Sequence, residues 1–155
     1  MKTLAREGDR AELLHRLTTL RPDNARRWGR MTPHQMVCHL NDAFRMSLGE
    51  KPVTHVGGLK SLLFRTVIRW MALYLPARWP PGIVTRPELD QQIGGTRPGA
   101  FAADVADLEH LIGVVARQPP AARCPPHPLF GRMSRRTWLR WGYLHVDHHL
   151  RQFGV

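Results

Sequence analysis

The sequence predicts an all-α fold, a four-helix bundle with an additional short or N-terminal helix. Apolar residues recur at the 3–4 spacing of a buried helical stripe in separate segments. Two of those segments open with a helix-cap signal. No strand ladder with period-two alternation and no Asn-Gly hairpin interrupts them. The length of 155 residues suits one domain with its own core, taken as residues 1–155.

The first helix is expected over about Asp9 to Leu20, where Leu13, Leu14, Leu17 and Leu20 line one side. The second opens with Thr32 as cap, Pro33 at the first helical position and Gln35 completing a capping box. Met31 and Met36 are placed to staple across that cap, and the helix runs to about Ser47, stopping near Gly49. The third follows Gly57-Gly58 and spans roughly Leu59 to Tyr74. The fourth runs from about Ala100 to Arg117, with Val105, Leu108, Leu111, Ile112 and Val115 inward. The fifth starts at the cap Ser134, with Met133 and Trp138 as a second staple pair, and continues to Phe153. Between helices lie two Pro/Gly-rich loops, Pro76 to Gly99 and Pro119 to Gly131. The former is long enough to cover a pocket or to serve as a plain connector.

Composition excludes several classes. No apolar run reaches the roughly 20 residues that span a bilayer, because Arg65 and Arg69 break the most apolar stretch, Leu59 to Leu75. The first residues, Met1-Lys2-Thr3-Leu4-Ala5-Arg6-Glu7, lack the apolar segment of a signal peptide, so a cytoplasmic protein is expected. Cys38 and Cys124 are far apart with no C-x-x-C, so a disulfide is not expected, and Cys38 on its helix reads as a small buried hydrophobe. The net charge of +11 is mostly arginine, but the basic residues are scattered. No zinc-finger, RRM or KH signature accompanies them, so nucleic acid is not the expected partner.

The histidines carry the chemistry. His145 and His149 are four apart in the last helix and so share a face. At 100° per residue, Trp138, Trp141, His149 and Gln152 fall within about 40° of His145, while Asp147, Arg140 and Arg151 fall opposite. In the second helix His39 shares the inner stripe of Met36, Leu40 and Ala43, whereas His34 and Asn41 face elsewhere. Burying an imidazole without a partner is costly. A hydrogen bond alone satisfies a lone inward ring, but an i,i+4 pair plus a third histidine on a facing helix favours a metal ion. Imidazole suits zinc, nickel, iron or copper, and three protein ligands leave an open position for water or substrate. Around them, Asp42 either orients an imidazole or is a surface charge. His148 is a pocket edge or a solvated side chain, and His127 approaches the site or packs its own loop. Trp138 and Trp141 wall a pocket or are core. No catalytic residue is picked out, and His15, His55 and His110 give no site argument.

The chain resembles the DinB-like, YfiT-like superfamily of metal-binding four-helix bundles. The matching residues are His39 in Met36-Val37-Cys38-His39-Leu40, and His145, His148 and His149 in the final helix. It is most similar to an uncharacterised branch carrying segments like Arg27-Trp28-Gly29-Arg30-Met31-Thr32-Pro33-His34-Gln35-Met36 and His127-Pro128-Leu129-Phe130-Gly131. That branch ends in a segment like His148-His149-Leu150-Arg151-Gln152-Phe153-Gly154. The resemblance covers nearly the whole chain, with the middle, Lys51 to Arg117, matched loosely.

The resemblance implies a three-histidine site of His39, His145 and His149, with zinc or nickel as the typical divalent metal ion. It implies a thiol-dependent transferase or isomerase acting with a low-molecular-weight thiol (bacillithiol, mycothiol or glutathione), often as a homodimer. The expected function is therefore a metal-dependent thiol transferase, with metal-assisted hydrolysis as a close variant. No carboxylate base lies on the histidine face, which leans towards thiol activation. The arginine excess would suit an anionic cosubstrate. A non-enzymatic metal- or small-molecule-binding protein is the alternative. A basic nucleic-acid-binding protein is a third, against which the scattered charge argues.

Overall fold

The computed structural model describes residues 1–55 and 62–155. The chain is an all-α helical bundle, with five α-helices among the described residues: α1 (Glu7–Thr18), α2 (Pro33–Leu48), α3 (Leu62–Tyr74), α4 (Phe101–Arg117) and α5 (Arg135–Gln152). One 3₁₀ turn, Pro87–Leu89, sits in the loop before α4. No β-strand occurs among the described residues; a lone antiparallel bridge joins His127 to Gly131. No helix among them is long and apolar enough to cross a membrane.

Local chemistry sets most boundaries. Both bonds of the capping box are made at α2: Thr32 Oγ1 accepts from Gln35 N–H at 3.1 Å, and Gln35 Oε1 accepts from Thr32 N–H at 3.0 Å. α2 ends at Gly49, whose φ of 82° is the left-handed conformation that terminates helices and that glycine adopts freely. At α5, Ser134 Oγ accepts from Thr137 N–H at 3.2 Å. Both staples form, with Met31 packed against the cluster that holds Met36, and Met133 against the one that holds Trp138.

α1 departs from expectation at both ends, running over Glu7–Thr18 rather than from Asp9 to Leu20. Glu7 and Asp9 both fall in its first turn, where acidic side chains favour the helix dipole. Its last turn tightens, with Thr19 N–H donating to Arg16 O and Leu20 N–H to Leu17 O, yet Leu20 stays buried. The additional helix is thus the N-terminal one. The expected start of the third helix, at Leu59 after Gly57-Gly58, lies outside the described residues.

α5 is the central element and touches each of the other four helices, while α2 lies along α4. One core cluster joins Leu13 and Leu17 of α1, Met36 and Leu40 of α2, Leu108 and Ile112 of α4, and Val146 of α5. Fully burying each such side chain is worth about 1.5–3 kcal/mol. A second cluster gathers Ala43 and Met46 of α2, Leu73 of α3, Leu89, Phe130, and Trp138 and Trp141 of α5. α5 approaches closely at Gly142, where a Cβ would stand 2.8 Å from Leu4 Cδ1 and 3.2 Å from Phe44 Cε1. The inner faces of α2 and α5 therefore meet, and the histidines on those faces meet with them.

Candidate metal centre

His39, His145 and His149 converge as the helical faces require. One ring nitrogen from each lies within 4.8 Å of the others. His39 Nε2 and His145 Nε2 are 3.1 Å apart. The ring centroids of His39 and His149, and of His145 and His149, are each 4.9 Å apart. His39 is buried, while His145 and His149 keep a small part of their surface open.

Two of the three rings are fixed by carbonyls. His39 Nδ1 is 2.8 Å from the Leu89 carbonyl, which only accepts, so Nδ1 carries the proton. His149 Nδ1 is 2.9 Å from Gln152 Oε1. Gln152 Nε2 donates to Trp28 O at 2.9 Å, which turns Oε1 towards the imidazole and makes His149 Nδ1 a donor too. In the neutral rings both Nε2 lone pairs are then free. Carbonyl partners on Nδ1 are how ligand histidines are usually oriented.

His145 completes the set. Its Nδ1 is buried with no hydrogen-bond partner among the described residues. Its Nε2 faces a His39 nitrogen that is a lone pair. Either His145 Nε2–H donates to His39 and leaves a bare Nδ1, or two lone pairs confront each other at 3.1 Å. Two ligands about 2.0–2.1 Å from one cation stand about this far apart, so the donor set fits a metal ion. Burial holds all three imidazoles below their ordinary pKa, His145 and His149 well below it, with the neighbouring histidines adding to the effect at both. For His39, the Leu89 bond and Asp42 work the other way. At neutral pH all three are therefore neutral imidazoles.

The surroundings differ in part from expectation. Asp42 is fully buried and bonds no imidazole. It accepts from Thr96 N–H and Thr96 Oγ1–H at 2.7 Å and from Gln91 Nε2 at 3.2 Å, and pairs with Lys51 at 3.0 Å. It is thus neither an imidazole orienter nor a surface charge; it anchors the 91–96 segment, and His39 is oriented by Leu89. His127 packs its own loop: its Nδ1 accepts from Leu129 and Phe130 N–H at 3.1 and 3.2 Å. Its ring lies against Trp138 and Trp141, and burial pushes it down to about 3, with His55 adding to the effect. Trp138 and Trp141 belong to the core, and Trp141 also walls His145 at 4.7 Å between centroids.

His148 stands at the edge of the triad, 5.2 Å from His149 between ring centroids. Trp28 lies 5.6 Å and Trp79 5.9 Å from its ring. Its Nδ1 too is buried without a partner among the described residues. Trp79 also reaches to 6.1 Å from His145. The 76–99 loop is therefore no plain connector, since it supplies Trp79 and the Leu89 carbonyl. Trp28, Trp79, Leu89 and Gln152 are site residues that sequence reasoning did not assign. Only Gln152 carried a usable signal, by falling within the histidine arc.

Two surface cavities lie elsewhere. One of about 360 Å³ is lined by Lys2, Arg6, Tyr74, Arg135, Arg136 and Arg140, among others, and one of about 200 Å³ has Trp79 in its wall. None of the three histidines lines either. Arg30 pairs with Asp90, and Arg151 with Asp147.

A second group of potential ligands lies between α2 and α4. His34 Nε2 is 2.6 Å and Cys38 Sγ 3.6 Å from Asp104 Oδ2. Burial pushes the Cys38 thiol up to about 12, and the Asp104 charge adds to this. Burial also raises Asp104, but bonds from Gly99 N–H, His34 and Cys38 outweigh it and hold the carboxyl below its ordinary value. Asn41, on the same side of α2, donates to Asp104 O at 2.9 Å.

The fold and this site define an all-α helical bundle whose central helix and one neighbour bring three histidines together. The chain belongs to a family described as a protein of unknown function (DUF1569), whose model matches residues 4–154. No match is found among curated proteins or among solved structures.

Proposed function

We propose that the chain is a metal-dependent enzyme in which His39, His145 and His149 hold one divalent cation, zinc or nickel. The observation that carries this is the pairing of two Nε2 atoms at 3.1 Å while carbonyls hold the Nδ1 protons of His39 and His149 outward. A divalent cation there would supply Lewis acidity, which lowers the pKa of a thiol or water in its open position.

The chain's own residues do the rest. Leu89 O and Gln152 fix the ring planes. Trp141 and Trp79 exclude water on the His145 side. His148, with its bare Nδ1, faces the same rim between Trp28 and Trp79 and is placed to meet a polar group of a small-molecule substrate. The partners of the three imidazoles are the Leu89 carbonyl, Gln152 Oε1 and a neighbouring imidazole, and the absence of a carboxylate from the histidine face of α5 leans towards thiol transfer. This reading agrees with the DinB-like resemblance, and with a cytoplasmic protein using a low-molecular-weight thiol. The homodimer it implies is supported by the outward apolar side of α3, where Leu63, Val67, Trp70 and Met71 are exposed. Sedimentation velocity tests that point.

The deciding experiment compares tag-free wild type with a His39→Ala/His149→Ala variant by elemental analysis. Wild type is expected to carry about one equivalent more metal than the variant. Thiol-plus-electrophile assays then follow on the loaded protein. Equal metal in both would overturn the site. Metal without turnover would favour the non-enzymatic metal-binding reading.

A further inference from the structure

We propose a second metal site, distinct from the triad, in which His34, Cys38 and Asp104 bind a borderline-soft divalent cation such as zinc and clamp α2 to α4. The three side chains offer one nitrogen, one sulfur and one oxygen within 4.8 Å of one another. His34 and Cys38 are four apart on α2, as His145 and His149 are on α5, and Asp104 comes from the facing helix. The same construction, an i,i+4 pair closed by a ligand from across the helix interface, thus occurs twice in the chain.

Their separations suit shared ligation. Cys38 Sγ stands 3.6 Å from Asp104 Oδ2, close to the spacing of a sulfur and an oxygen on one tetrahedral zinc with bonds of about 2.3 and 2.0 Å. The 2.6 Å His34–Asp104 contact is an ion-pair distance and would widen on binding. Gly99 N–H donates at 3.0 Å to the same Asp104 Oδ2 that faces His34 and Cys38, so the carboxylate is positioned and that oxygen would keep the amide as a second partner beside the cation. Cys38 is 1% exposed, whereas the side chains of His34 and Asp104 are 20% and 24% exposed. The sulfur lies at the bottom and the other two ligands at the mouth, so a cation reaches the site from solvent. The Phe101 ring, edge-on to His34 at 5.3 Å, shields one side.

Thiolate and imidazole select zinc or cobalt over magnesium or calcium. On binding, the Cys38 thiol releases one proton to solvent. The resulting thiolate and carboxylate carry two negative charges, which balance the divalent cation. His39 is the next residue after Cys38, but a turn of 100° sends it to α5 instead of α4. The two sites therefore share α2 without sharing a ligand, and this inference does not rest on the function proposed above.

Cobalt(II) titration with a non-thiol reductant separates the two. A three-histidine site contributes no thiolate–cobalt charge-transfer absorption in the near ultraviolet. Wild type is expected to show that band, saturating at about one equivalent beyond whatever the triad takes up. The band should vanish in Cys38→Ser. It should persist in Cys124→Ser and in His39→Ala/His149→Ala, with folding checked by circular dichroism. His34→Ala and Asp104→Asn should weaken cobalt binding at the band at least tenfold, and they carry the test if Cys38→Ser does not fold. A folded wild type without the band, survival of the band in Cys38→Ser, or its loss in the folded His39→Ala/His149→Ala variant would each overturn the proposal.

Discussion

Gln152 accepts the Nδ1 proton of His149 at 2.9 Å and hands its own amide proton to the Trp28 carbonyl at 2.9 Å. The side chain of Gln152 is buried, and its backbone carbonyl also accepts from Arg27 N–H at 2.7 Å. One residue near the end of α5 therefore ties the 27–30 segment to the His149 ring. Replacing Gln152 with Leu keeps the bulk but frees the imidazole to rotate. Metal affinity, measured by competition with a chromophoric chelator, is expected to fall about 10–100-fold. An unchanged affinity would show that His149 is not held through this amide.

The same relay makes Gly29 a sensitive position. Its φ is 76°, and a Cβ there would stand 2.7 Å from Gln152 Nε2. Gly29→Ala therefore strains the backbone and displaces the amide that orients His149. Denaturant unfolding should show a loss of about 1–3 kcal/mol. The metal affinity should fall as for Gln152→Leu. A stability loss with full affinity would place the strain away from the site.

His127 makes stability depend on pH. Burial holds it at about 3 in the folded chain, with His55 adding to the effect, against about 6.5 when unfolded. Between these values the unfolded chain binds the extra proton, so stability rises with pH. The contribution is complete above about pH 6.5 and is lost as pH falls towards 3, with a slope of up to about 1.4 kcal/mol per pH unit. Denaturant midpoints measured across this window should show the slope. His127→Gln keeps an acceptor for the Leu129 and Phe130 amides but does not titrate, so it should remove that part of the slope. An identical slope in the variant would mean that His127 protonates while folded.

Asp42 holds the loop that carries Leu89. It is fully buried and accepts from Thr96 and Gln91 while pairing with Lys51. Asp42→Ala leaves the Thr96 amide and a partly buried ammonium without their carboxylate. The expected cost is about 3–5 kcal/mol, read by chemical unfolding. The Leu89 carbonyl is released with the loop, so metal affinity should fall as well. A loss below about 1 kcal/mol would mean that water replaces the carboxylate.

The contrast between Asp42 and His149 explains how much was legible beforehand. His149, His145 and His39 follow from helical periodicity, because a 100° turn per residue fixes which side chains share a face. The caps at Thr32 and Ser134 are equally local and are met in the structure. Asp42 instead finds Thr96, 54 residues away, and His39 finds Leu89, 50 residues away. Trp79 arrives from a proline-rich loop whose path no periodicity encodes. The three rings, the Trp141 wall and the place of Gln152 in their arc were thus readable from sequence, but the Leu89 carbonyl and the Trp28 and Trp79 indoles that aim and enclose them were not. Such contacts depend on how loops close across the bundle.

Trp79 is where that loop governs access. Its Nε1 donates to Ala72 O at 2.6 Å, which pins the indole beside His145 and His148. Trp79 stands beside both His145 and His148, so a cation held by the triad is expected to exchange past this aromatic rim. Trp79→Ala removes one wall of that rim without touching a ligand or its carbonyl partner. The rate of metal transfer to excess chelator, followed by stopped flow, is expected to rise at least tenfold. Equilibrium affinity should change much less, because both Nδ1 anchors remain. Phe at the same position keeps the bulk but not the indole N–H, and should fall between Ala and wild type. If the three proteins released metal at one rate, access would run past Trp28 instead, and Trp28→Ala would be the variant that speeds release.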